Sequence, residues 1–114
     1  MSDLKIHVEE AAGGIVCIDL SGFLDAHNYA KLEDTFAANF KESRFRYVVD
    51  LSRLEYISSA GAGVFIGAAS TCQDNAGNIV LVRPSPEVEE IFELLGVYQI
   101  FAVAKERQQA LAQF

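Results

Sequence analysis

The amino-acid order predicts an α/β fold, in which a mixed, mostly parallel sheet carries packed helices. Three observations predict it. Short apolar runs of strand length recur along the chain. After the first two, each run alternates with a segment whose apolar residues return every three or four positions, the period of a helix face. Between the first two runs lie only residues 9–14, where Gly13-Gly14 turns the chain, too little for a helix, so those two form a hairpin and the later strands pair in parallel.

Leu4, Ile6 and Val8 alternate with Lys5 and His7, as on a strand with one wet face. Residues 15–20 are a buried strand, broken by Ser21-Gly22. Asp25 is placed to cap a helix whose inner face is Tyr29, Leu32, Phe36 and Phe40. Residues 47–49 form the next strand, which ends at Asp50-Leu51-Ser52. Gly61, Val64, Phe65, Ala68, Ala69 and Cys72 stripe a second helix, closed by Asn75-Ala76-Gly77 with Gly77 in the left-handed conformation. Residues 79–82 are a strand. Ser85-Pro86-Glu87 starts a third helix, with Ser as cap and Pro in the first turn. Its inner face is Val88, Ile91, Phe92 and Leu95, and Gly96 stops it. A last strand over 98–103 and an amphipathic helix over 105–114 complete the order β-β-α-β-α-β-α-β-α.

The chain has 114 residues, the size of one domain, expected to span 1–114 with its core at about 4–111. Nine basic residues against 16 acidic ones give a formal charge of −7. That argues against a role built on nucleic-acid phosphates or anionic membrane surfaces. Cys17 and Cys72 lack partners at metal-ligand spacing and read as buried thiols acting as small hydrophobes. The first ten residues carry acids and no long apolar run, so no secretion signal is expected. Residues 56–73, the longest uncharged stretch, are too rich in Gly, Ala and Ser for a membrane span. A cytoplasmic protein without membrane insertion is the expectation.

The segment "YISSAGAGVFIGAAS" carries the strongest functional signal. Ser58-Ser59 enters a helix, where one serine suffices as the cap. Ala60, Gly61, Ala62 and Gly63 follow, although glycine weakens a helix by roughly 1 kcal/mol each against alanine. Close packing on the sheet and close approach of a partner both explain such small residues. Serine hydrolysis would need a base near the hydroxyl, yet His7 lies on the first strand and His27 at the first helix. Neither G-x-S-x-G nor a phosphate-binding Gly-Lys-Ser/Thr loop occurs. Asp50 sits where a response-regulator receiver holds its phospho-acceptor, but the acidic pair and the lysine of that family are missing. Its carboxylate is expected to accept a hydrogen bond from the turn to Ser52.

"GFLDAHN", "VVDLSRLEYISSAGAGVFIGA" and "SPEVEEIFELLGVYQIF" together resemble the STAS domain of bacterial anti-sigma-factor antagonists, in unbroken order from about Leu4 to Leu111. The resemblance implies the same order of elements and a phosphorylation switch at the start of the second helix. The family acceptor falls on Ser59, with Ser58 the alternative, and the family's two glycines fall on Gly61 and Gly63. The acidic residue that precedes the acceptor in the common form is Ser58 here, and Ala60 follows the acceptor. The implied partner surface comprises Asp25, Asn28, Ser58, Ala60, Gly61, Ala62 and Gly63. The resemblance further implies a module that is not an enzyme and needs no cofactor or metal. Unphosphorylated, it would bind an anti-sigma factor that is also a serine kinase; phosphorylated, it would release that factor until a serine phosphatase resets it. A STAS subunit of a phospholipid-transport or stressosome-type scaffold complex, without the switch, is the second reading, and an enzyme the third.

Overall fold

The computed structural model describes residues 3–114. Among them, five strands form one sheet in the order β1-β2-β3-β4-β5. These are β1 (Leu4–Glu10), β2 (Val16–Leu24), β3 (Arg46–Ile57), β4 (Asn78–Val82) and β5 (Ala102–Ala104). The helices are α1 (Tyr29–Lys41), α2 (Ser59–Asp74), α3 (Pro86–Leu94) and α4 (Arg107–Leu111). β1 and β2 are antiparallel, and every later pair is parallel. The predicted order and the mixed sheet are therefore both present.

Because each parallel crossover steps to the next strand in the same direction, right-handed connections put α1, α2 and α3 on one face. That face holds the main core, where Leu24, Phe36, Tyr47, Leu54, Ile57, Phe65 and Phe92 are all buried. Phe65 joins its parts: its ring meets Phe36 of α1 at 6.2 Å, Phe92 of α3 at 6.1 Å and Phe101 at 6.4 Å, each edge to face. Such pairs add about 0.5–1.5 kcal/mol each beyond area burial. On the other face a smaller cluster of Cys17, Val48, Val80, Val82 and Ala104 is covered by Ala110 of α4.

Several boundaries differ from those the sequence predicts, each for a local reason. Ser21-Gly22 does not end β2, which continues to Leu24 through register shifts between Asp19 and Ser21 and between Gly22 and Phe23. Gly22 is at φ 96°, where a Cβ would stand 2.1 Å from the Asp3 carbonyl oxygen. β3 likewise runs through Asp50-Leu51-Ser52 to Ile57, paired with the extended β2. Asp50 Oδ1 does accept from the Ser52 amide at 2.8 Å, but within a strand. Val8, inward by alternation, is exposed at the sheet edge. Leu95 is also exposed, because α3 ends at Leu94 and the backbone turns left-handed at Gly96. Residues 97–99 form a 3₁₀ turn in place of the predicted strand, leaving only three residues of β5. The terminal helix is likewise reduced to five residues.

The end of α2 reverses an assignment. Ala76, at φ 60°, holds the left-handed position. The Gly77 amide donates to the Cys72 carbonyl at 2.7 Å and the Ala76 amide to the Gln73 carbonyl at 3.3 Å, the paired bonds of a Schellman cap. Gly77 is needed for space instead, since a Cβ there would lie 1.8 Å from the Phe45 carbonyl oxygen.

Ala76→Gly should therefore stabilise the protein. Relief of roughly 1–2 kcal/mol of left-handed strain exceeds the roughly 0.4–1 kcal/mol of added unfolded-state entropy, giving a melting point a few degrees higher. Gly77→Ala should lose about 1–3 kcal/mol by overpacking. Equal melting points for the two variants would contradict this assignment. Burial also pushes the Cys72 thiol up to about 12 and raises the Tyr47 phenol. Folded Cys72 then keeps a proton that the unfolded chain sheds near pH 8.5. Stability should hold below about pH 8.5 and fall as pH rises toward 12. Cys72→Ala should flatten that fall in urea titrations.

Candidate functional site

The extended β2–β3 ladder ends in the register pairs Phe23 with Tyr56 and Leu24 with Ile57. Immediately past it, the Ser58 amide donates to the Leu24 carbonyl at 2.9 Å, so the end of β2 and the start of α2 are stitched together. Ser58 has extended backbone angles, φ −88° and ψ 169°, and its Oγ accepts from the Gly61 amide at 3.1 Å. It is the helix cap. Ser59 is the first helical residue, exposed, and its hydroxyl makes no hydrogen bond among the described residues. The two serines thus have separate duties.

Gly61 packs directly on the sheet. A Cβ would stand 2.7 Å from Leu24 Cγ and 3.2 Å from Ile57 Cγ1, and both neighbours are fully buried. Ala62 is at 0% exposure. The assignment of Gly61 and Ala62 to a partner surface is thereby corrected: both lie beneath the surface and serve packing. Gly63 has nothing within 4 Å of a would-be Cβ and is exposed, as is Ala60. Gly63 and Gly67 help floor a groove of about 200 Å³ between α1 and α2, walled by Glu33, Phe36, Phe40 and Thr71.

The segment between β2 and α1 closes the site on its other side. Asp25 is not the cap of α1, which starts at Tyr29 with Asn28 before it. Its Oδ1 accepts from the His27 amide at 2.8 Å, and its carbonyl from the Tyr29 amide at 3.0 Å. Asn28 is buried and braces this turn from within: Oδ1 accepts from the Asp25 amide at 2.9 Å, and Nδ2 donates to the Phe23 carbonyl at 2.8 Å. Its role is to hold Asp25 in place rather than to present a surface. Asp25 is partly exposed, one residue beyond the Leu24–Ser58 bond.

Sequence pattern does not single out Phe23 and Tyr56. They are paired neighbours, 37% and 44% exposed, directly before Leu24 and Ile57. Two exposed aromatic rings are a surface feature that apolar patterning alone does not separate from core. For a metal, the set among the described residues is His7, Glu9 and Asp19, whose ligating atoms lie within 4.8 Å of one another on the β1–β2 hairpin. Glu9 there is already bound by Arg107 at 2.8 Å, which holds its carboxyl below the ordinary value.

Fold and site together define a small mixed-sheet module that presents a serine at a helix start. Residues 8–110 match the STAS domain, and the chain belongs to that family. It is 36% identical over 111 residues to BtrV of Bordetella bronchiseptica, assigned by name as an anti-sigma factor antagonist, covering 97% of this chain and 95% of that one. The anti-sigma-B factor antagonist of Listeria monocytogenes is 24% identical over 101 residues, 89% of each chain. The anti-sigma factor antagonist SpoIIAA in its unphosphorylated form superposes with a TM-score of 0.82 at 24% identity, over 96% of this chain and 95% of that one. No helix among the described residues is long and apolar enough to cross a membrane.

The two glycines should respond oppositely to alanine. Gly61→Ala should destabilise, because the roughly 1–3 kcal/mol of overpacking against the fully buried Leu24 and Ile57 outweighs a helix gain of roughly 1 kcal/mol. Gly63→Ala meets no neighbour and should stabilise by up to about 1 kcal/mol. Chemical denaturation of both variants checks this, and a stabilised Gly61→Ala would refute the packing role.

Proposed function

We propose that this chain is an anti-sigma factor antagonist, a cytoplasmic regulator and not an enzyme, switched by phosphorylation of Ser59. One observation carries the choice of residue: Ser58 uses its hydroxyl to cap α2, whereas the Ser59 hydroxyl stands free and exposed beside it. The names of the relatives support the wider role, and SpoIIAA has been solved in a phosphorylated form as well. In this reading the unphosphorylated chain binds an anti-sigma factor with serine kinase activity, and a serine phosphatase restores it after release.

The binding surface we assign comprises Asp25, Ser59, Ala60 and Gly63, extended by the exposed Ile66. The small residues let a partner approach the helix closely. A phosphate on Ser59 would add roughly −1.5 to −2 charges. The helix start tolerates it, since free N–H groups and the helix dipole both favour an anion there. A partner seated on Ala60 and Gly63 does not. Burying the charge unpaired costs on the order of 3–5 kcal/mol, roughly a hundred- to several-thousandfold in affinity. Release then needs no rearrangement of the fold.

Two single variants separate the serines. Ser59→Ala should abolish phosphate incorporation by the cognate kinase, keep partner binding and leave the melting point nearly unchanged, since alanine suits a helix. Ser58→Ala should still accept phosphate at Ser59 but lose about 0.5–2 kcal/mol of stability with its cap. Mass spectrometry after incubation with ATP and kinase decides the acceptor. Incorporation that survives Ser59→Ala and vanishes in Ser58→Ala would reject the assignment.

A further inference from the structure

The sheet face away from α1, α2 and α3 is covered by α4 only in part. Beyond the apolar cluster under α4, the same alternation that turns Cys17 and Val48 to this face brings up Asp19 and Asp50, direct neighbours on β2 and β3. β4 stops at Val82, opposite Asp50, while β3 runs on to Ile57. The early end of β4 leaves a step in the sheet. A cavity of about 220 Å³ lies there, lined by Asp19, Asp50, Ser52, Arg53, Arg83 and Arg107.

Three of the five arginines of a chain with a formal charge of −7 line this one cavity. Arg44 and Arg107 are ion-paired to Glu10 and Glu9, and Arg46 donates to the Gly13 carbonyl. Arg53 and Arg83 are exposed, and among the described residues their guanidinium groups make no ion pair or hydrogen bond. They do not close on Asp19 or Asp50, as arginines serving only to offset those carboxylates would. One oxygen of Asp50 is taken by the Ser52 amide. Arg83 is held at φ 47°, with its amide on the Ala104 carbonyl at 3.1 Å. L-residues seldom adopt that backbone conformation, and here it sets the residue at the cavity mouth where β4 ends.

We propose that this cavity binds a small phosphate monoester that carries hydroxyl groups, of the sugar-phosphate class. Arg53 and Arg83 take the phosphate, whose oxygens match the guanidinium fork. Asp19 and Asp50 accept from the ligand's hydroxyls. Both signs of charge in one cavity are then accounted for: the carboxylates would repel a bare oxyanion, and an uncharged sugar would leave both guanidinium groups unanswered. The volume, below the roughly 300–1,000 Å³ of sites for larger organic ligands, limits the ligand to that size. The site is on the face opposite α2 and does not depend on the role of Ser59.

The full chain, labelled with ¹⁵N, can be titrated with ribose 5-phosphate at matched ionic strength, with ribose and inorganic phosphate in parallel. Ribose 5-phosphate should produce saturable amide shifts at Ser52, Arg53 and Arg83. Inorganic phosphate should bind at least about tenfold more weakly, and ribose should cause no shift. Arg53→Ala and Arg83→Ala should each weaken binding by about 10- to 100-fold, the effect of losing a charged hydrogen bond. Both side chains are exposed, and unchanged melting points would show that the variants fold. Arg83→Lys, which keeps the charge and loses the fork, should recover only part of the affinity. The proposal is overturned by an absence of saturable shifts at millimolar ribose 5-phosphate, by shifts that persist in the double arginine variant, or by equal affinity for inorganic phosphate.

Discussion

The first turn of α2 rests on the Leu24 and Ile57 side chains at the end of the sheet, and at Gly61 the helix adds no side chain of its own. Gly61 lies against Leu24 and Ile57, too close for a Cβ, while the Leu24 carbonyl holds the Ser58 amide. This seat fixes the helix in both depth and angle. It requires β2 and β3 to extend together past the end of β4, which the register shifts near Ser21 and Gly22 allow. It also delivers Phe65 one turn later into the centre of the aromatic core. Ser59 is exposed because the backbone beside it is anchored from both sides. A surface serine is positioned here by buried glycine packing.

The order of elements and the location of the switch candidates are legible in the sequence because both rest on local pattern. Alternation, helical period and Ser-Pro-Glu each act within a few residues. Nonlocal pairing is harder to read. In β3 the buried residues past Asp50 are Leu51, Leu54 and Ile57, every third rather than every second position. That spacing does not look like a strand, and only pairing with the irregular β2 makes it one. Residue type alone makes Gly77 the left-handed residue, yet the backbone carbonyl of Phe45, distant in sequence, decides its role. The short terminal helix is similar: its pattern extends over ten residues, but only the patch under Ala110 offers it a partner.

In the sequence, the paired serines and the small residues after them leave packing and partner access balanced. The structure divides them residue by residue. Ser58 faces inward as a cap, and Gly61 and Ala62 fill the seat, while Ser59, Ala60 and Gly63 remain outside. Helical geometry forces this division, since residues three or four apart share a face and adjacent ones do not. A run of small residues at a helix start must therefore serve two surfaces. Composition cannot show which residue serves which, because glycine is compatible with either.

The two faces of the sheet differ in what they offer and are joined by one strand. β3 carries Asp50 and Arg53 at the polar cavity and delivers the chain to Ser58 at its far end. From Arg53 to Ser59 is six residues, about 20 Å of extended chain at roughly 3.3 Å each. Exposed charges are screened over about 8 Å at physiological ionic strength. A charge at Ser59 and a charge at Arg53 therefore do not interact appreciably through solvent. Mechanical coupling is also weak, since a strand hydrogen-bonded to β2 along most of its length has little freedom to shift. The helix-covered side and the open side of this sheet can thus evolve their surfaces separately. The limit on that freedom is the Leu24–Ile57 seat, which any change in β2 or β3 must leave in place.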